Sequence, residues 1–282
     1  MTRQTGLDKI RFVHGHHPEV SLEVTLFGAN ITSWKIDDEE LLFIGRKTRM
    51  DGSKPIRRGG IPISFPHLGS GNTGFNGFAR RSDNWQIVEE PATDPQTGDV
   101  TLRVMLRADE VTRREWDHAF SFHYKVILRK DSIGLEAQVF NNNKVRPFDF
   151  SAAFLPHFKV EDIAEVAVHG LFGAYHYDRV HGMAFERQWE SKLEFHGFVD
   201  QIYTEVEEVV TLRKPEKVVM NRMKMPDVIA WHPGRMMARI SKDLAEAEYR
   251  NVVCIGAGTG IKLMTLAAGE NCRFALSLEW VG

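Results

Sequence analysis

The sequence is poor in cysteine, since only Cys254 and Cys272 occur among its 282 residues. Two cysteines cannot build the dense disulfide framework of a small secreted domain, and free thiols in a reducing compartment are favoured. No stretch approaches 18 consecutive apolar residues, and residues 1–10 contain no apolar run. Both absences argue against a membrane span and a secretory leader, so we expect a cytoplasmic protein with no membrane partner.

The chain also lacks an excess of basic charge. Its 36 Lys and Arg residues are balanced by 38 Asp and Glu residues, and the formal net charge is −2 at pH 7. General nucleic-acid binders need a basic surplus, so no nucleic-acid partner is expected. Hydrophobic residues make up 43% of the chain, which is enough for a sizeable core. Because we find no repeat and no linker, we predict one domain over residues 1–282.

Helical periodicity is scarce, and only residues 242–249 resemble a short helix, with Ser241 as a candidate N-cap. The dominant apolar period is two. Alternation over seven residues predicts strands that bury one face, and many such strands predict an all-β, antiparallel sandwich or barrel with few short helices. The alternating segments are residues 20–26, 100–106, 122–128, 133–139 and 274–280.

Two local patterns suggest ligands that the rest of the chain does not support. Residues 252–260 run from an apolar segment into a Gly-rich turn, as in a dinucleotide fingerprint. The chain lacks the strand–helix alternation of a nucleotide-binding domain, so we interpret this segment as strand–turn–strand and expect no cofactor. The histidines His14, His16 and His17 match no zinc-ligand spacing, so we expect a solvated segment and no metal.

Residues 54–69 combine positive charge with backbone that permits a close approach. Arg58 precedes the pair Gly59–Gly60, and Arg80 follows about twenty residues later. Guanidinium groups are planar, permanently charged forks that suit anions, and glycine lets a backbone approach a ligand closely. Residue chemistry alone leaves two interpretations open: an anion site, or a pair of tight turns with solvated arginines.

These residues also carry a resemblance. Arg58-Gly59-Gly60-Ile61-Pro62 and Gly77-Phe78-Ala79-Arg80 resemble the signature of the glucose-6-phosphate 1-epimerases, a group within the aldose 1-epimerase (galactose mutarotase-like) family. The similarity implies a galactose mutarotase-like supersandwich, a large antiparallel β-sandwich that binds sugar on a concave face. It continues in order through residues 147–150, 158–163, 170–178, 199–203, 231–233 and 252–258.

The resemblance also implies roles for individual residues. Arg58 and Arg80 are implied to hold a sugar phosphate, Asp200 to hold sugar hydroxyls, and His67 to line the pocket. The implied ligand is therefore a small phosphosugar, a hexose 6-phosphate. No protein partner can be inferred from the sequence.

The family opens and recloses a hexose ring, which requires a general base and a general acid on opposite sides of the hemiacetal. The resemblance places the family histidine at Leu155 and the family glutamate at Gly256, and neither residue can exchange a proton. His157 and Asp200 are candidate substitutes for the catalytic groups. On a strand, His157 would share a face with Leu155 about 6–7 Å away. We further expect that Gly256→Glu together with Leu155→His restores anomer exchange.

Two functions stay open at this stage. The first is a glucose-6-phosphate 1-epimerase-like isomerase of carbohydrate metabolism that binds a hexose 6-phosphate and, if active, interconverts its anomers. The second is a catalytically impaired relative that acts as a phosphosugar-binding or protein-interaction module. They differ in whether the protein accelerates anomer exchange.

Overall fold

The computed structural model describes residues 8–52, 54–181, 185–206, 209–213 and 217–282. Strands dominate this part of the chain. Their bounds are β1 Lys9–Val13, β2 Ser21–Thr25, β3 Asn30–Ile36, β4 Glu39–Glu40, β5 Ile63–Ser64, β6 Gln86–Thr93, β7 Val100–Arg107, β8 Phe120–Leu128, β9 Ser132–Asn141, β10 Phe148–Phe150, β11 Ala153–Phe154, β12 His157–Lys159, β13 Ala167–His169, β14 Tyr175–Asp178, β15 Phe185–Arg187, β16 Lys192–Glu194, β17 Val199–Thr204, β18 Val210–Arg213, β19 Lys217–Met223, β20 Asp227–His232, β21 Val252–Gly258, β22 Met264–Leu266 and β23 Asn271–Val281.

Helices are few and short. Two are α-helical, α1 Glu110–Glu115 and α2 Gly234–Ile240. The 3-10 turns are Phe27–Ala29, Ala79–Arg81, Ile163–Glu165 and Glu246–Asn251. No helix in the described ranges is long and apolar enough to cross a membrane.

Two large sheets build the fold. One has nine strands in the order β16-β13-β18-β19-β23-β9-β8-β7-β6, and the other has the order β15-β14-β17-β20-β21-β11-β5, with β12 also paired to β21. All strand pairs within both sheets are antiparallel in the described residues. The prediction of an all-β antiparallel fold is confirmed. Each of the five alternating segments falls on a strand, and only residues 20 and 26 lie just outside β2.

The core lies between the two large sheets. Phe154 of β11 stacks on Tyr124 of β8 at 5.5 Å between ring centroids and packs against Phe274 of β23 at 6.0 Å. Because side chains alternate along a strand, the other face of the eight-stranded sheet points away from this core. That outer face holds a second, smaller apolar cluster that includes Ile229 and Trp231 of β20.

Phe65 lies at the centre of a group of aromatic rings at one end of the core. Its side chain is fully buried. Edge-to-face and tilted contacts of this kind contribute beyond the simple burial of area. Ring centroids lie 5.0–6.0 Å from that of Phe65 in Phe78, Trp116, Phe120, Phe122 and Phe150.

The helix predicted over residues 242–249 is wrong. The chain forms α2 at Gly234–Ile240 and then a 3-10 turn at Glu246–Asn251. Ser241 ends α2, and its hydroxyl accepts hydrogen bonds from the backbone N–H groups of Asp243 and Leu244 at 3.2 Å. The serine therefore caps a turn, and this turn separates the two helical segments. Residues 252–258 form strand β21, which confirms the strand interpretation of the Gly-rich segment.

The interpretation of the histidine segment as solvated is wrong for His14, which is buried at 2% exposure. Its Nε2 lies 3.5 Å from a carboxylate oxygen of Asp99, and its ring lies 5.1 Å from that of His17. Among the described residues, no group of three or more His, Cys, Asp or Glu side chains is placed to hold a metal ion.

Phe65→Ala should lower the free energy of unfolding by about 3–5 kcal/mol, because it leaves a cavity between five rings. Phe172→Ala, at a ring that is 59% exposed, is the matched control and should change it by less than about 0.5 kcal/mol. Urea denaturation followed by tryptophan fluorescence measures both. A loss below 1 kcal/mol for Phe65→Ala would contradict the central place of this ring in the core.

Candidate sugar-phosphate site

Four neighbouring strands, β17, β20, β21 and β12, are paired so that one residue from each forms a row across the outer face of the eight-stranded sheet. Asp200 of β17 pairs with Trp231 of β20, Trp231 pairs with Cys254 of β21, and Cys254 pairs with His157 of β12. Residues paired in an antiparallel ladder point to the same face. Three residues from separate parts of the sequence pattern, His157, Asp200 and Trp231, therefore meet in this row.

The next row on the same face is apolar. Ile202, Ile229 and Gly256 are paired across β17, β20 and β21, and Leu155 packs in the same cluster. All four are buried. Leu68 packs against this cluster from the loop after β5. Positions 155 and 256, to which the resemblance assigns the acid and the base, thus lie in this apolar row, which we call the apolar floor. None of the five residues named in this paragraph has a titratable side chain.

Gly256 is packed too closely to carry a side chain. A Cβ built there would lie 2.4 Å from the carbonyl oxygen of Phe154 and 3.2 Å from the Cα of Leu155. Both atoms belong to backbone, so no side-chain rotation relieves the contact. The structure therefore does not support the expectation that Gly256→Glu simply restores a catalytic carboxylate, since β11 would have to move.

The loop between β5 and the 3-10 turn at Ala79–Arg81 is closed on itself by Asn76. The Asn76 backbone donates to the carbonyl of Gly69, and its side-chain oxygen accepts from the Gly69 N–H, both at 2.7 Å. His67 lies in the same loop and is half-buried, with Nδ1 3.2 Å from the hydroxyl of Thr73. Burial lowers the pKa of His67 below its usual value. His67 does not line the cleft described next.

A cleft of about 510 Å³ opens beside Trp231. Its lining comes from the loops at residues 55–58 and 75–81, from α2 and from residues 241–244, where the carboxylate of Asp243 accepts a hydrogen bond from the Arg57 backbone N–H at 2.9 Å. Five cationic residues line it: Arg57, Arg58, Arg80, Arg81 and Lys242. The apolar lining residues include Phe75, Met237, Ile240 and Leu244. A concave site with mostly apolar walls and a few polar groups is typical of small-ligand binding.

Arg58 differs from the other arginines of the cleft. Its guanidinium carbon lies 4.0 Å from the centroid of the Trp231 ring and 5.8 Å from that of Phe75. No described residue accepts a hydrogen bond from it or forms an ion pair with it. Burial lowers the pKa of Arg58, while Asp200 and Asp243 act in the opposite direction. Arg58 is therefore a half-buried cation that stacks on a ring and keeps its hydrogen-bond donors free of protein acceptors among the described residues.

Arg80 and Arg81 already have internal partners. The Nη2 group of Arg80 donates to the carbonyls of Ile56 at 2.8 Å and Arg57 at 2.7 Å, and the side chain is only 7% exposed. Burial, together with the charge of Arg58, lowers the pKa of Arg80 to about 10. Arg81 pairs with the carboxylate of Glu115. Arg80 thus holds the backbone immediately before Arg58, which is a positioning role.

Gly60 lets the segment that carries Arg58 pack closely against the neighbouring backbone. Its φ is +67°, and a Cβ there would lie 2.3 Å from the carbonyl oxygen of Ile31. The Gly60 N–H donates to the Phe43 carbonyl, and the Gly60 carbonyl accepts from the N–H of His157, both at 2.9 Å. The sequence suggested that this glycine lets the backbone approach a ligand. In the structure it instead lets two backbone segments pack against each other.

Asp200 is held by Arg179, a residue that the sequence analysis did not select. One carboxylate oxygen of Asp200 accepts from both Nε and Nη2 of Arg179, with the Nε bond at 3.0 Å. The Arg179 backbone N–H also donates to the Asp200 carbonyl at 2.9 Å. The second carboxylate oxygen has no hydrogen-bond partner among the described residues. Arg179 and Asp200 are 21 residues apart in the sequence, and this separation matches no motif that would have indicated the pair.

His157 lies beneath the site and is 1% exposed. Its Nδ1 donates to the Leu155 carbonyl at 2.8 Å, and its buried Nε2 has no partner among the described residues. Burial, followed by the charges of Arg58 and Arg80, lowers its pKa to about 3. A general acid works best with a pKa near the operating pH, so these properties disfavour proton transfer by His157. Burial likewise raises the pKa of Cys254 to about 12.

Comparison with known proteins identifies the family to which the sequence is similar. The family model described as aldose 1-epimerase matches residues 11–279. A protein of Cenchrus ciliaris named "Putative glucose-6-phosphate 1-epimerase" is 32% identical over 268 residues, which cover 92% of this chain and 81% of that protein. A protein of Salmonella typhimurium with the same name is 28% identical over 259 residues, covering 88% and 83% of the two chains.

A solved structure is similar to the fold. The crystal structure of the Salmonella typhimurium protein YeaD, a "putative mutarotase", matches with a TM-score of 0.87. The match covers 99% of this chain and 92% of that one at 23% sequence identity. At this identity the likeness shows the fold alone, and it confirms the predicted galactose mutarotase-like sandwich.

The buried His157 predicts how stability responds to acid. Its pKa of about 3 in the folded state lies below the ordinary value of 6.5, so between these values the unfolded chain binds the proton more strongly. This contribution therefore destabilises the fold as the pH falls from 6.5 towards 3. His157→Leu should reduce the loss of the urea midpoint between pH 7 and pH 4.5. Equal losses in the variant and the parent protein would contradict the burial of a neutral imidazole.

Proposed function

The chain belongs to the aldose 1-epimerase family, and from this premise we propose that it binds a hexose 6-phosphate with the phosphate at Arg58. The observation that carries the proposal is the Arg58 guanidinium, which stacks on Trp231 and has no acceptor among the described residues. Arg80 supports it by holding the Ile56 and Arg57 carbonyls and by adding positive charge. The curated relatives named as glucose-6-phosphate 1-epimerases favour the same ligand class.

The sugar ring is proposed to lie between the phosphate and Asp200. Asp200 and Trp231 are paired on neighbouring strands, so their backbones are about 5 Å apart. The unpartnered oxygen of Asp200 can accept hydrogen bonds from sugar hydroxyls, while Arg179 holds the carboxylate in place. In this proposal Arg58 and Asp200 bind the ligand, and Arg80 and Arg179 position them. Neither Asp200 nor His67 lines the cleft. Asp200 is assigned to the sugar because its strand partner Trp231 lines the cleft, and no ligand contact is assigned to His67.

We further propose that the site does not catalyse family-type anomer exchange. The resemblance assigns proton transfer to positions occupied here by Leu155 and Gly256, which lie in an apolar floor. His157 is buried and neutral, and Asp200 is engaged by Arg179. Loss of a general acid or base costs about 10²–10⁴ in rate. We also propose that residues 1–282 form one domain and that the protein is cytoplasmic.

Phosphate recognition predicts a difference between two sugars. Glucose 6-phosphate should bind more tightly than glucose in isothermal titration calorimetry. Arg58→Met should remove most of this difference, because a desolvated hydrogen bond to a charged group contributes about 1.5–3 kcal/mol. The matched control is Arg103→Met, on a half-exposed arginine that pairs with Glu89 on the nine-stranded sheet. Equal affinity of the parent protein for both sugars would contradict the phosphate site.

The second prediction concerns turnover. Exchange NMR on glucose 6-phosphate at pH 7 should show the same rate of anomer interconversion with and without the protein, even at concentrations at which the ligand is bound. The physical reason is the absence of a proton-exchanging group at positions 155 and 256. A protein-dependent exchange rate would contradict this part of the proposal. His67→Ala, His157→Leu and Asp200→Asn would then identify the group responsible.

A further inference from the structure

The cleft beside Arg58 has two chemically different walls. Residues 57–58 and 80–81 contribute arginines to its lining, whereas α2 contributes the apolar side chains of Met237 and Ile240. These two side chains are 37% and 72% exposed. Leu244 and Phe75 extend the same apolar lining. A helix of a folded protein ordinarily turns such residues towards the core, so apolar side chains lining a cleft point to a ligand with apolar surface.

A hexose 6-phosphate matches only part of this cleft. Its phosphate suits Arg58, but its ring carries hydroxyl groups over most of its surface. Hydroxyls placed against Met237 and Ile240 would lose hydrogen bonds to water without gaining partners from these side chains. A volume of about 510 Å³ lies within the range of small-ligand sites. The apolar wall therefore calls for an additional group on the sugar phosphate.

We infer that the preferred ligand is a phosphorylated glycoside, a hexose 6-phosphate whose anomeric oxygen carries an aryl or other apolar group. This inference rests on the proposed phosphosugar site and names its substrate class. It joins two observations that are otherwise separate. A glycoside has no anomeric hydroxyl to deprotonate, so its recognition requires no acid–base pair at positions 155 and 256. Its apolar group, in turn, gives Met237 and Ile240 a partner.

The test compares three ligands by calorimetry: glucose 6-phosphate, methyl β-D-glucoside 6-phosphate and phenyl β-D-glucoside 6-phosphate. The phenyl compound should bind about tenfold or more tightly than glucose 6-phosphate, since an apolar group in a fitted pocket gives discrimination of this size. The methyl compound separates the effect of blocking the anomeric oxygen from that of the apolar surface, and it should bind more weakly than the phenyl compound.

Two variants on α2 locate the effect. Ile240→Ser should reduce the ratio of phenyl to glucose 6-phosphate affinity several-fold. Met236→Ser is the matched control, because Met236 is on the same helix, is 84% exposed and does not line the cleft. It should leave the ratio unchanged. Circular dichroism of both variants checks that α2 and the sheets are retained.

Each result decides a different claim. If glucose 6-phosphate binds and the phenyl compound binds no more tightly, the glycoside inference is overturned while the phosphosugar site stands. If neither compound binds, both are overturned. Equal reduction of the ratio by Ile240→Ser and Met236→Ser would overturn the assignment of the apolar wall.

Discussion

The stacking of Arg58 on Trp231 is the contact on which the rest of the site depends. Strand pairing places Trp231 beside Asp200 on one side and Cys254 on the other, so the indole is the platform of the outer face. Arg80 then holds the backbone that delivers Arg58 to this platform. The guanidinium is stabilised by the ring but not neutralised by a carboxylate. The proposed phosphate ligand would supply the negative charge that Arg58 lacks, and this proposal accounts for a local cationic site in a chain of net charge −2.

The packing of the fold is consistent with the proposal that the site does not catalyse anomer exchange. The two large antiparallel sheets of the family fold are present. The floor at Leu155, Ile229 and Gly256 is filled by packing, and a Cβ at Gly256 would meet backbone. Because the packing is this close, a larger side chain introduced at position 256 alone would clash with its neighbours. The charged groups that remain, Arg58 and Asp200, are suited to binding.

Much of the architecture could be predicted from the sequence, because period-two alternation is a direct consequence of strands with one buried face. The five longest alternating segments are strands, and the Gly-rich segment at 252–258 is one as well. Helix α2 could not be predicted, since GRMMARI is preceded by no capping side chain and two of its apolar residues, Met237 and Ile240, line a cleft. The arginines look alike in the sequence. Only the hydrogen bonds of the folded chain distinguish Arg80, which is engaged, from Arg58, which is not.

The most direct test of this account observes the arginine side chains themselves. In a ¹⁵N-labelled protein, the Nε–Hε signal of Arg58, assigned by its disappearance in Arg58→Met, is followed while glucose 6-phosphate is added. The account predicts a large, saturable shift of this signal and a small one for Arg103 on the other sheet. An Arg58 signal that does not move when the ligand binds would contradict it, because the phosphate would then lie elsewhere.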